Sequence, residues 1–74
     1  MVDRRALLLD KLAEVEQQVA ESARRIQGQK KSIAEMQPRA RETAIAAELL
    51  KVALRGHAVL VAARDRLKVR ISQL

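Results

Sequence analysis

Seventy-four residues with no cysteine, no aromatic side chain, one histidine and a net charge of +6 exclude disulfides, thiolate and histidine-based metal sites, and the aromatic platform on which single-stranded nucleic acid usually stacks. A single core of this size rarely supplies more than about 3–5 kcal/mol, so oligomerisation is the support left open. The charge is uneven: residues 1–37 carry seven Lys/Arg against six Asp/Glu, and residues 38–74 carry eight against three.

The chain opens with a helix start. Asp3 can cap the first turn by accepting a backbone N–H, and Val2 and Leu7 stand at the staple positions around it. The apolar run Leu7-Leu8-Leu9 is too short for a secretory leader. A cysteine-free chain without such a leader is expected in the cytoplasm. From there Leu8, Leu12, Val15, Val19, Ser22, Ile26, Gln29, Ile33 and Met36 recur at alternating steps of four and three. Seven of these nine are apolar, which draws one coiled-coil-like seam along a long helix and demands a second helix to cover it. Gly28 is its one weak point, at about 1 kcal/mol relative to Ala. Glu21 with Arg24 and Arg25, and Lys31 with Glu35, stand at supporting helical spacings. The first helix is predicted over about 3–37.

Pro38, the only proline, biases Gln37 away from helical dihedrals. A turn is expected at about 38–42, with the second helix over about 43–72. On a straight 100° wheel that helix shows two apolar strips. Ile45, Leu49, Val52, Ala53, Gly56, Leu60, Ala63, Leu67, Ile71 and Leu74 cluster on one side and are expected to face the first helix. Leu50, Leu54 and Val61 form the second strip, roughly 120–140° away, and are the expected oligomer interface. Arg66 to Ser72 alternates polar and apolar, a strand signal. With no partner strand in the chain, helix is the stronger reading.

A short connector makes the two helices antiparallel neighbours. Facing residue numbers then add to about 78 or 79 if the turn lies near 38–41. That register sets Ile33 against Ile45, Ile26 against Val52 or Ala53, Val19 against Leu60, Val15 against Ala63, Leu12 against Leu67 and Leu8 against Ile71. Gln29 falls opposite Leu49 and Ser22 opposite Gly56. The predicted fold is all-α: an antiparallel two-helix hairpin, dimerising through its second strip into a four-helix bundle.

Site chemistry is sparse. Two glycines cannot build a phosphate-binding loop, so no cofactor is expected. Glu14 and Glu16 point to different helix faces and form no acid–base dyad. The register brings His57 near Glu21, Ser22 or Ala23, which allows a Ser22–His57 contact. A hydrogen-bonded boundary histidine is the stronger reading of it than catalysis. A membrane span over Thr43–Ala63 fails on its charges: eight aliphatics gain roughly 0.3–0.6 kcal/mol each, whereas Glu48, Lys51 and Arg55 each cost roughly 2.5–3.5 kcal/mol. Arg64, Arg66, Lys68 and Arg70 are the candidate nucleic-acid contacts. They point in several directions on a helix and suit its C-terminal dipole, so a solvated helix end is the stronger reading. Arg39 and Arg41 lie at the other end of the hairpin, about 45 Å away for helices of ~30 residues.

Asp3-Arg4-Arg5-Ala6-Leu7, Val19-Ala20-Glu21 leading to Arg24-Arg25-Ile26, Ile33-Ala34-Glu35 and Ala63-Arg64-Asp65-Arg66-Leu67 resemble a group of short uncharacterised bacterial two-helix proteins. The chain departs from them at Gln37-Pro38-Arg39, where they carry an Asp-Gly type turn, and in its less acidic second helix. The resemblance implies a helical hairpin and assigns no activity. The function expected is a non-enzymatic interaction or scaffold module acting through helix packing, as a homodimer or with a helical protein partner. The alternative is a basic accessory protein that binds nucleic acid through the second helix.

Overall fold

A computed structural model describes residues 3–36 and 40–74. Two helices account for nearly all of them: α1, Arg4–Glu35, and α2, Ala40–Ser72. Asp3 caps α1 as expected. It is extended (φ −70°, ψ 120°), and its Oδ1 accepts the Arg5 backbone N–H at 3.0 Å. The Leu7 N–H reaches the Asp3 carbonyl at 3.1 Å, closing the first turn. At the other end the Met36 N–H binds the Ile33 carbonyl at 3.2 Å, a tightened final turn that uses one of the orphan carbonyls. Val2 of the expected staple, and Gln37, Pro38 and Arg39 of the expected turn, lie outside the described residues.

α2 begins at Ala40, three residues before the expected Thr43. Ala40, Arg41 and Glu42 are good helix formers, and an acidic Glu42 in the first turn suits the positive end of the helix dipole. Residues 66–72 are helical throughout. Their strand-like alternation has no ladder to join, and the Ser72 hydroxyl donates to the Val69 carbonyl at 2.7 Å inside the last turn.

The hairpin is a rod of 59 × 16 × 14 Å. Its register is fixed by the contact between Ser22 and His57, so facing residue numbers add to about 79, within the expected range. All nine seam residues of α1 turn inward. Val15, Ser22 and Ile26 are buried, at 5–6% exposure, and the other six are half-buried.

The face of α2 differs from the expectation in its first half. Its half-buried positions include the series Thr43, Ala46, Leu50, Ala53, His57, Leu60, Arg64, Leu67 and Ile71 at alternating steps of three and four, flanked by half-buried Ala47, Val61 and Ala63. Ile45, Leu49, Val52, Gly56 and Leu74, expected to face α1, are exposed instead, and Ser22 meets His57 rather than Gly56. A straight wheel at 3.6 residues per turn drifts by about 20° per heptad against a seam that follows 3.5. Over the four heptads of α2 that reaches roughly 80°. The wheel therefore picks the right residues near Leu60, Leu67 and Ile71 and the wrong ones near the turn. Small Ala46, Ala47 and Ala53 occupy the half-buried places there.

Exposed ion pairs, Lys11–Glu14 at 3.5 Å and Lys51–Glu48 at 3.0 Å, add a few tenths of a kcal/mol each. Two substitutions measure how the hairpin is held. Ile26→Ala opens a gap at the most buried apolar position and should lower unfolding free energy by about 2–4 kcal/mol. Gly28→Ala should raise it by about 1 kcal/mol, because an added Cβ there meets nothing within 4 Å. Urea melts followed by circular dichroism, at one fixed protein concentration, check both.

Candidate functional site

Three features of the hairpin could do something beyond holding it together: a polar layer in the seam, a groove near the turn, and an exposed apolar stripe on α2.

The polar layer is Ser22 and His57. The seam spacing of α1 puts a serine where an apolar residue would sit, and that of α2 puts a histidine level with it. Ser22 Oγ and His57 Nδ1 are 3.1 Å apart. The buried hydroxyl thus has its partner, as a buried polar group requires. A serine beside a histidine is also the start of a nucleophile–base pair. Here Ser22 is buried in the middle of a continuous helix, where neighbouring backbone N–H groups are already used in the helical ladder. No carbonyl substrate can reach it and no free N–H pair stands by to hold an oxyanion. The arrangement is a packing layer that marks the register.

About two turns further toward the loop, Gln29 occupies the seam. Its Oε1 is buried without a hydrogen-bond partner among the described residues. It lies in a groove of about 430 Å³ whose walls include Arg25, Ser32, Ile33, Met36, Ala46 and Leu49. The groove exists because α2 presents Ala46 to the seam at this level and turns Leu49 to its edge.

The apolar stripe runs beside it. Ile45, Leu49, Val52 and Val59 are 55–65% exposed, and Gly56 lies between them, open on its Cβ side. With Ala63, which is half-buried at the edge of a groove it shares with Lys11 and Val15, they form a second series at alternating steps of four and three. α2 therefore carries two seams and α1 covers one. The spacing was present in the sequence, but a straight wheel merges it with the inward face.

Of the strip expected to carry the oligomer, Leu50 and Val61 are half-buried and Leu54 is 41% exposed. Leu50 sits in the series that faces α1. The basic residues separate. Arg64 is half-buried in the seam series and binds Asp65 Oδ1 through Nε at 3.1 Å. Arg66 and Arg70 line a shallow groove with Lys11 and Val15. Lys68 is exposed on the other side of α2. Arg41 is exposed at the far end, and Arg39 lies outside the described residues. Among the described residues no cluster of His, Cys, Asp and Glu could hold a metal ion, and no helix is long and apolar enough to cross a membrane.

The chain matches no protein-family profile, no characterised protein and no solved structure. The surface itself therefore carries the functional argument.

The polar layer can be weighed directly. Ser22→Ala removes the partner of a half-buried imidazole nitrogen, and His57→Leu strands a buried hydroxyl. Each should cost about 1–3 kcal/mol. The double variant should cost clearly less than the two added together, since neither partner is then left unpaired. A double-mutant cycle from thermal melts checks this.

Proposed function

We propose that this chain is a non-enzymatic helix–helix interaction module, and that two hairpins associate to complete a four-helix bundle. The observation that carries the proposal is the mismatch between inside and outside. Among the described residues the buried apolar ones are Val15 and Ile26 alone, whereas nine large aliphatic residues are exposed. A chain this small needs more apolar burial than one two-helix seam offers, and a contiguous exposed apolar patch is the mark of an association surface.

The proposal gains from what the polar groups do. The one serine–histidine contact is consumed in packing, and the basic residues of α2 are spread over more than one side. Duplex recognition calls for cationic groups aligned on one face. The cysteine-free composition suits a reducing compartment, and we place the module in the cytoplasm.

Sedimentation equilibrium tests the reading. At micromolar concentration the mass should be a multiple of 8.3 kDa, with two the expected value and helicity rising with concentration. A helical monomer at every concentration would sink it. Titration with duplex DNA at several salt concentrations separates the nucleic-acid alternative. That alternative gains if binding is micromolar and falls steeply with salt, at a log–log slope of roughly −0.9 per phosphate neutralised.

A further inference from the structure

We propose that the second copy docks antiparallel on the exposed stripe of α2, across a two-fold axis, with Val52 of each copy seated against Gly56 of the other. This rests on the self-association proposed above and names its face and register.

The face follows from spacing. Ile45, Leu49, Val52, Gly56, Val59 and Ala63 repeat at four and three, so they form a seam for a straight partner helix rather than a scattered patch. Its length, at ~1.5 Å per residue, is about 27 Å. Counted at ~3.6 residues per turn, it lies about 100° around α2 from the seam that holds α1. That is close to the corner angle of a square four-helix bundle. A two-fold axis normal to the plane of the two α2 helices leaves both α1 helices on one side, so the square closes.

The direction follows from size and charge. Antiparallel pairing about Val52 and Gly56 sets Ile45 against Ala63 and Val52 against Gly56, large against small, with Leu49 against Val59 between them. Parallel pairing would set Ile45 on Ile45 and leave a gap where Gly56 meets Gly56. Parallel pairing would also bring both basic C-terminal ends together, whereas the antiparallel pair places Arg66 of one copy beside Glu42 of the other. The missing side chain of Gly56, open in the hairpin, is what lets the two backbones approach. On the α1 side the same symmetry sets Arg25 level with Arg25 of the other copy and a turn from its Glu21, a polar rim at the edge of the apolar contact.

Substitutions that leave the hairpin alone test it. Val52 and Leu54 are both exposed, and Gly56→Gln adds helix propensity in open space. Val52→Glu and Gly56→Gln should each abolish the dimer at about 100 µM, a concentration that saturates a micromolar interface. Leu54→Glu should leave the mass unchanged. The chain has no cysteine, so disulfides report contacts cleanly. An equal mixture of Ile45→Cys and Ala63→Cys proteins should cross-link on mild oxidation, and Ile45→Cys alone should not. Cross-linking of Ile45→Cys alone, or dissociation by Leu54→Glu with Val52→Glu still dimeric, overturns the docking face while self-association stands. An unmodified chain that remains monomeric at about 100 µM overturns both.

Discussion

A two-helix hairpin has one seam and nothing behind it, so every feature of this chain is constrained by how much that seam can bury. α1 supplies the large residues: leucine, valine, isoleucine and methionine at seven of nine positions. α2 answers with Leu50, Leu60, Leu67 and Ile71 but fills the other inward places with Thr43, Ala46, Ala53, His57 and Arg64. Large against small lets the two axes approach, but it limits the apolar area removed from water, and hence the driving force, at roughly 25 cal/mol per Å². The aliphatic residues that α2 withholds from the seam are on its outer side. Near the turn α2 places Ala46 and Ala53 inward and Ile45, Leu49 and Val52 outward, and the proposed association rests on that outward surface.

Within the seam, Ser22 and His57 act differently from the residues around them. Their contact is worth little net, about 0.5–1.5 kcal/mol as for other protein hydrogen bonds. Its effect is on the alternatives. A slip of one heptad would set Ser22 against Leu50 or Arg64, and His57 against Val15 or Gln29, and would leave the hydroxyl and the imidazole without each other. The apolar layers are similar enough to tolerate such a slip. The polar layer is what tells one register from the next.

The fold and most of α1 were legible because a seam of nine residues at heptad spacing has only one helical reading. The cap at Asp3 and the helical C-terminus were equally plain. The first half of α2 was not. Its inward series is Thr43, Ala46, Leu50 and Ala53, and a search for large apolar residues passes over the three small ones in favour of Ile45, Leu49 and Val52. Those three belong to a second series with the same step pattern. Two heptad seams on one helix, offset by about 100°, blend into a single broad face when the helix is read as straight. The missing constraint was supercoil: only the pairing with α1, fixed at Ser22 and His57, shows which series α1 takes.

The three buried positions of the seam, Val15, Ser22 and Ile26, all lie in the middle of α1, and this sets how the rod moves. Burial falls toward both ends, where Leu8 with Ile71 and Met36 with Thr43 are only half-covered. Amide protons near the centre can exchange with solvent only when the whole hairpin opens. Those toward either end exchange through local fraying that leaves the centre paired. Protection should therefore peak at mid-rod in both helices and decline in both directions. An exposed bond near either tip would be cut by a protease well before one beside Ser22.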